Sequence, residues 1–170
     1  VTVTAAAEAA SITINAPSVN NGITISGTNS LTVSGAITVN APGTNSRTDT
    51  VAVGAGTLSA GSISIAGGTS TKVGQVTVST GIINVTGSIT FSGTAGNAKF
   101  TFTDAGTLNI GGNFGSGGTL TTTGGFGTIN FNGGVAQTIG AYTTYNNIEI
   151  NNTSVGVTLT GATTFGGTLT

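Results

Sequence analysis

The chain has 170 residues with four acidic and three basic side chains, a net charge of −1, and no Cys, His, Met or Trp. Three isolated cations cannot neutralise a run of phosphates, which excludes nucleic acid as a partner, and the missing Cys excludes a disulfide framework and thiol chemistry. A surface with so little charge must be neutral and polar, made of Thr, Ser, Asn and Gly, and little repulsion keeps copies of the chain apart.

In chain order, Val1-Thr2-Val3-Thr4 alternates apolar and polar residues and reads as a strand with edges open to pairing. It begins without Met and without a leader-like apolar run, as expected of the mature product of a secreted precursor or of a piece of a larger protein. Ala5 to Ala10 is the one stretch with helical preference, and it is too short to form a stable helix alone. Period-two alternation then predicts strands at Ile12–Asn15, Ile23–Ser26, Leu31–Ser34, Ile37–Asn40, Ile63–Ala66, Val76–Ser79, Ile89–Ser92 and Val157–Thr160. In each, a large apolar side chain faces one way and Thr, Ser or Asn the other, the pattern of a sheet buried on one side. Asn21-Gly22, Asn132-Gly133 and the other Gly-rich clusters read as turns.

Spacing separates the two all-β architectures compatible with this pattern, a parallel β-solenoid and a β-sandwich. "ITINAP" at Ile12–Pro17 returns 25 residues later as "ITVNAP" at Ile37–Pro42, and "GTL" recurs at Gly56, Gly106, Gly118 and Gly167. Gly106–Phe114 is echoed twelve residues on by Gly118–Phe126. Steady recurrence of short strands favours stacked turns, here a right-handed solenoid of seven or eight turns at roughly 20 to 25 residues each. Residues 1–170 read as one β-rich repeat domain, within which 1–11 can stand apart as an N-terminal strand or extension ahead of a solenoid over 12–170. The predicted core includes Ile12, Ile14, Ile63, Ile65, Val76, Val78, Ile129 and Phe131.

Little in the chain points to chemistry. Acid–base and nucleophilic catalysis draw on His, Cys or paired carboxylates, whereas Glu8, Asp49, Asp104 and Glu149 lie far apart and read as solvated turn residues. No enzyme, cofactor or metal site is expected. Gly111–Gly118 resembles a phosphate loop only in its glycines, and Lys72 and Lys99 read as solvated cations and not as partners of an isopeptide bond. Asn84, Asn151 and Asn152 match the N-glycosylation pattern by composition. No apolar run reaches the roughly 18 residues of a transmembrane helix, and a transmembrane barrel, a minor alternative, would carry aromatic girdles where this chain has only Tyr142 and Tyr145 beside seven Phe.

The run from Gly106 to Thr170 resembles the repeats of very large secreted bacterial surface proteins, the filamentous-haemagglutinin-like and autotransporter-like adhesins. The resemblance is carried by Asn130–Gly133, Gln137–Ile139, Tyr145–Asn152 and the closing Gly-Gly-Thr-Leu-Thr. It implies an extracellular, non-enzymatic structural protein of a prokaryote, a stalk segment or a self-assembling filament or sheath subunit. The partners expected are further copies of the chain, surface glycans or neighbouring cells. Val1, Thr2, Val3 and Thr4 would then be a strand donated to a neighbour. The alternative is a binding module for ice or carbohydrate, with Thr121, Thr122 and Thr123 on a flat Thr-rich face.

Overall fold

The computed structural model describes residues 1–170, apart from the side chain of Thr123. It is a parallel β-solenoid with three sides. The first side stacks β1 (Thr2–Val3), β4 (Asn21–Ile25), β6 (Arg47–Val53), β8 (Lys72–Val78), β11 (Ala98–Phe102) and β13 (Thr119–Thr122) in that order. The second side stacks β2 (Ala7–Ala9), the leading halves of β5 (Ser30–Val39) and β7 (Thr57–Gly67), β9 (Ile82–Val85), β12 (Thr107–Ile110), β14 (Thr128–Phe131) and β16 (Asn147–Ile150). The third carries β3 (Ile12–Ile14), the trailing halves of β5 and β7, and β10 (Ile89–Gly93). It continues through Phe114, which bridges Ile89 to Ile139, into β15 (Gln137–Ile139) and β17 (Val157–Leu159).

About five turns are complete, fewer than the seven or eight expected. The difference lies in turns that reduce one side to a single bridge, at Phe114 on the third side and at Tyr145, which bridges Phe165, on the first.

The 25-residue echo is the stacking register itself, since Ile12, Thr13 and Ile14 pair with Ile37, Thr38 and Val39. The twelve-residue echo has a different origin. Thr107–Ile110 lies on the second side and Thr119–Thr122 on the first, and of the two echoed phenylalanines Phe114 is buried whereas Phe126 is exposed. One strand plus one glycine corner makes one side of a turn, so a motif of that length repeats around the rod as well as along it.

All eight strands expected from alternation are present, two of them joined in β5. Ala7–Ala9, inside the stretch with helical preference, is a strand paired with Leu31–Val33; stacking overrides a weak local propensity. Of the expected core, Ile14, Ile63, Ile65, Val76, Val78, Ile129 and Phe131 are buried, while Ile12, in the first turn, is covered on one side only and is half-buried. One apolar cluster runs from Val3 to Ile148 through every turn. Full burial of each such side chain is worth about 1.5–3 kcal/mol.

Candidate functional site

Because side chains alternate along a strand, each side of the rod presents columns of outward residues at the inter-strand spacing of about 4.8 Å. On the first side Thr2, Thr24, Ala52, Thr77, Thr101 and Thr121 stand in one register. The neighbouring column runs Gly22, Thr50, Gln75, Lys99 and Thr119. On the third side Thr13, Thr38, Ser64 and Thr90 form an unbroken hydroxyl column.

The second side carries an amide ladder. Asn109 Nδ2 donates to Asn84 Oδ1 at 2.8 Å, Asn130 Nδ2 to Asn109 Oδ1 at 3.1 Å, and Asn151 Nδ2 to Asn130 Oδ1 at 3.0 Å. Two of the three glycosylation-pattern residues, Asn84 and Asn151, are rungs of this ladder, and the Nδ2 of Asn152 donates to Val135 O and Gln137 Oε1.

The expected Thr face divides. Thr121 belongs to the outward column, whereas Thr122 shares the register of buried Phe102 and turns inward, its hydroxyl donating to Thr144 O at 2.8 Å. Three consecutive residues of a strand cannot share a face when the period is two. Thr123 begins a short 3₁₀ turn, and its side chain lies outside the described residues.

Val1–Thr4 is not a free arm in this structure. Thr2 and Val3 pair in register with Thr24 and Ile25, the Val1 amine donates to Gly22 O at 2.9 Å, and Thr24 N–H donates to Val1 O at 2.9 Å. The strand is the outermost of the first side, paired along one edge with β4.

Two polar residues are buried. Asp49, expected in solvent, is fully buried in β6. It occupies an inward register position between Asn21 and Gly74, where its Oδ2 accepts from Ala16 N–H at 3.0 Å and its Oδ1 has no partner. Burial pushes its carboxyl above the ordinary range, against the lowering effect of backbone N–H groups at Ala16 and Asn21. The sequence carries a signal for this. In "RTDTVAV" Asp49 has the same parity as Val51 and Val53, and period two alone turns it inward.

Gln137 is buried and fully satisfied. Its Oε1 accepts from Gly133 N–H and Asn152 Nδ2, both at 2.8 Å, and its Nε2 donates to Ile110 O and Gly112 O at 2.8 and 2.6 Å. It pins a corner where Gly133 is obligatory, since any β-carbon there would strike Gly111 O and the Gln137 amide.

The first side also contains a break. β13 ends the first-side ladder although the second and third sides continue, and no backbone hydrogen bond joins it to the segment Thr143–Asn146 stacked on it. Two side-chain bonds hold the layers instead, Thr144 Oγ1 to Leu120 O at 2.6 Å and Thr122 Oγ1 to Thr144 O at 2.8 Å. The break opens a groove of about 420 Å³ whose walls include Thr119, Thr121, Thr143, Asn146 and Thr164, with Tyr145 below. The Tyr145 ring is buried, its hydroxyl donates to Gly140 O at 2.9 Å, and burial holds its proton far above the usual tyrosine range.

These features define a β-solenoid whose outer chemistry consists mainly of hydroxyls and amides. Comparison of the chain with known protein families, with characterised proteins and with solved structures gives no match.

Proposed function

We propose that the chain is a non-catalytic structural rod of a secreted prokaryotic surface protein, either a stalk segment of an adhesin or a subunit of a filament or sheath. The observation that carries this reading is the single core running through every turn under columns of neutral side chains. Such a stack is stiff along its axis, adds about 4.8 Å per turn, and offers copies of itself an uncharged surface on which to pack. The adhesin-repeat resemblance of Gly106–Thr170 supports the surface location.

Two measurements test it. Antibody against the chain should label intact cells of the producing organism, and labelling only after permeabilisation would overturn the surface reading. Light scattering with negative-stain microscopy on purified chain then separates the two forms: fibres with a regular axial repeat point to a filament subunit, and monodisperse short rods to a stalk segment.

A second reading is favoured by one observation, the unbroken column Thr13, Thr38, Ser64 and Thr90. Hydroxyls repeated at strand spacing on a flat side can order water in register, as an ice-binding surface requires. Thermal hysteresis that disappears in Thr38→Lys would establish it, and none in the wild-type chain would eliminate it.

A further inference from the structure

We propose that the groove above Tyr145 is a binding site for a neutral glycan. The inference is independent of the rod reading and concerns a different surface from the third-side hydroxyl column. The groove's volume of about 420 Å³ falls within the range of small-molecule sites. It arises inside the stack, where side-chain bonds from Thr122 and Thr144 replace a backbone ladder.

The lining selects the ligand class. No Lys, Arg, Asp or Glu contributes to the walls, so nothing recommends an ion or a charged group. Four polar side chains on the walls, Thr121, Thr143, Asn146 and Thr164, have no hydrogen-bond partner among the described residues, and each can both donate and accept. Sugar hydroxyls do the same. The floor beneath them, Leu120 and Tyr145, is buried, so the contacts open to a ligand are those of the wall side chains and the methyl groups of their Thr residues.

An extended peptide is the competing occupant, and the geometry disfavours it. Strand addition needs open backbone groups along an edge, but Leu120 O already accepts from Thr144 and Thr144 O from Thr122. A ligand that uses side-chain hydroxyls and leaves the backbone alone fits what remains available.

The test is a titration of the isotope-labelled full chain, followed by amide chemical shifts, with neutral tetrasaccharides of glucose, galactose, mannose and N-acetylglucosamine. With at least one of them, saturable shifts should cluster at Thr121, Thr143–Asn146 and Thr164, with dissociation constants of about 1 mM or tighter. Thr143→Arg should weaken that binding at least about tenfold, with circular dichroism and melting unchanged. Thr164→Arg serves in place of Thr143→Arg should the latter misfold. No groove shift with any of the four sugars overturns the proposal, as do shifts spread evenly over the Thr columns of all three sides or shifts that survive the arginine variants. Shifts at the same amides on adding a neutral Thr/Asn/Gly peptide, without any from the sugars, would overturn it in favour of strand addition.

Discussion

Between Ile25 and Val85 the interior is filled, Asp49 apart, by Val, Ile, Leu and Ala under regular backbone ladders on all three sides, whereas between Phe91 and Phe165 it is filled largely by rings. Phe114 lies at the hub of the second region, within 6.2 Å of Phe91, Phe100, Tyr142 and Tyr145, centroid to centroid, mostly edge to face. Turn length changes along with the residues. In the second-side register Asn84 and Asn109 are 25 residues apart, Asn109 and Asn130 are 21 apart, and Asn130 and Glu149 are 19 apart. A shorter turn supplies fewer inward positions and loses extended strand on one side, so each inward residue must fill more volume. Side chains also assume work that backbone ladders do elsewhere: Tyr142 Oη donates to Gly115 O at 2.9 Å, Asn113 Oδ1 accepts from Thr138 N–H at 2.8 Å, and Gln137 pins its corner. The same rod is thus built in one region from repetition and in the other from specific side chains.

The largest expected effect is on the repetitive region. Ile63 is 1 % exposed, and Ile63→Asp buries an unpaired charge in the middle of the stack. It should abolish folding by circular dichroism, while Thr24→Asp, on the outward column, should change stability by no more than about 0.5 kcal/mol in denaturant unfolding. Equal tolerance of the two would contradict the inward–outward alternation.

Phe114→Ala removes the hub of the ring cluster and should cost about 3–5 kcal/mol. Because each turn contacts its neighbours, the loss should melt the later turns first. A separate early transition in denaturant, with the earlier turns still protected from hydrogen exchange, would sharpen the contrast; a cost below about 1 kcal/mol would remove it.

Gln137→Ala leaves Gly133 N–H and the Gly112 carbonyl without a partner, while the Ile110 carbonyl keeps Asn132 N–H, a loss of about 3 kcal/mol, read as a lower denaturant midpoint with unchanged slope. An outward polar residue such as Ser59 replaced by Ala should be nearly neutral in the same assay.

The smallest effect is that of Asp49. Its carboxyl titrates above the ordinary range in the fold, so the folded chain holds a proton that the unfolded chain has released. Stability contributed by this group therefore rises as pH falls through its raised folded pKa and levels off below the ordinary Asp range. Asp49→Asn keeps an acceptor for Ala16 N–H and removes the titration. The wild type should gain stability relative to this variant as pH is lowered toward the ordinary Asp value of 3.8, and parallel pH profiles would refute the assignment.

Much of this molecule was written in its alternation. Period two placed the eight expected strands and all but one of the named core residues, and the 25-residue echo gave the register of Ile12 on Ile37, because a solenoid turn must return each apolar residue above its predecessor. The strand beginning at Arg47 escaped because Asp49 takes one of its inward positions and interrupts the apolar pattern. The groove was legible only as scattered Thr residues: Thr121 and Thr164 are far apart in the chain and meet only because the turns stack.

Local sequence by itself determined that the chain forms short strands with one apolar face, since the positions of side chains on a strand follow from backbone geometry alone. Tertiary structure decided which strands share a side, that Gln137 closes a corner, and that the first-side ladder stops at Thr122. Those outcomes depend on turn length and on which residue lies one layer away, and contacts between layers are set by summed spacing around a whole turn, which no short stretch contains.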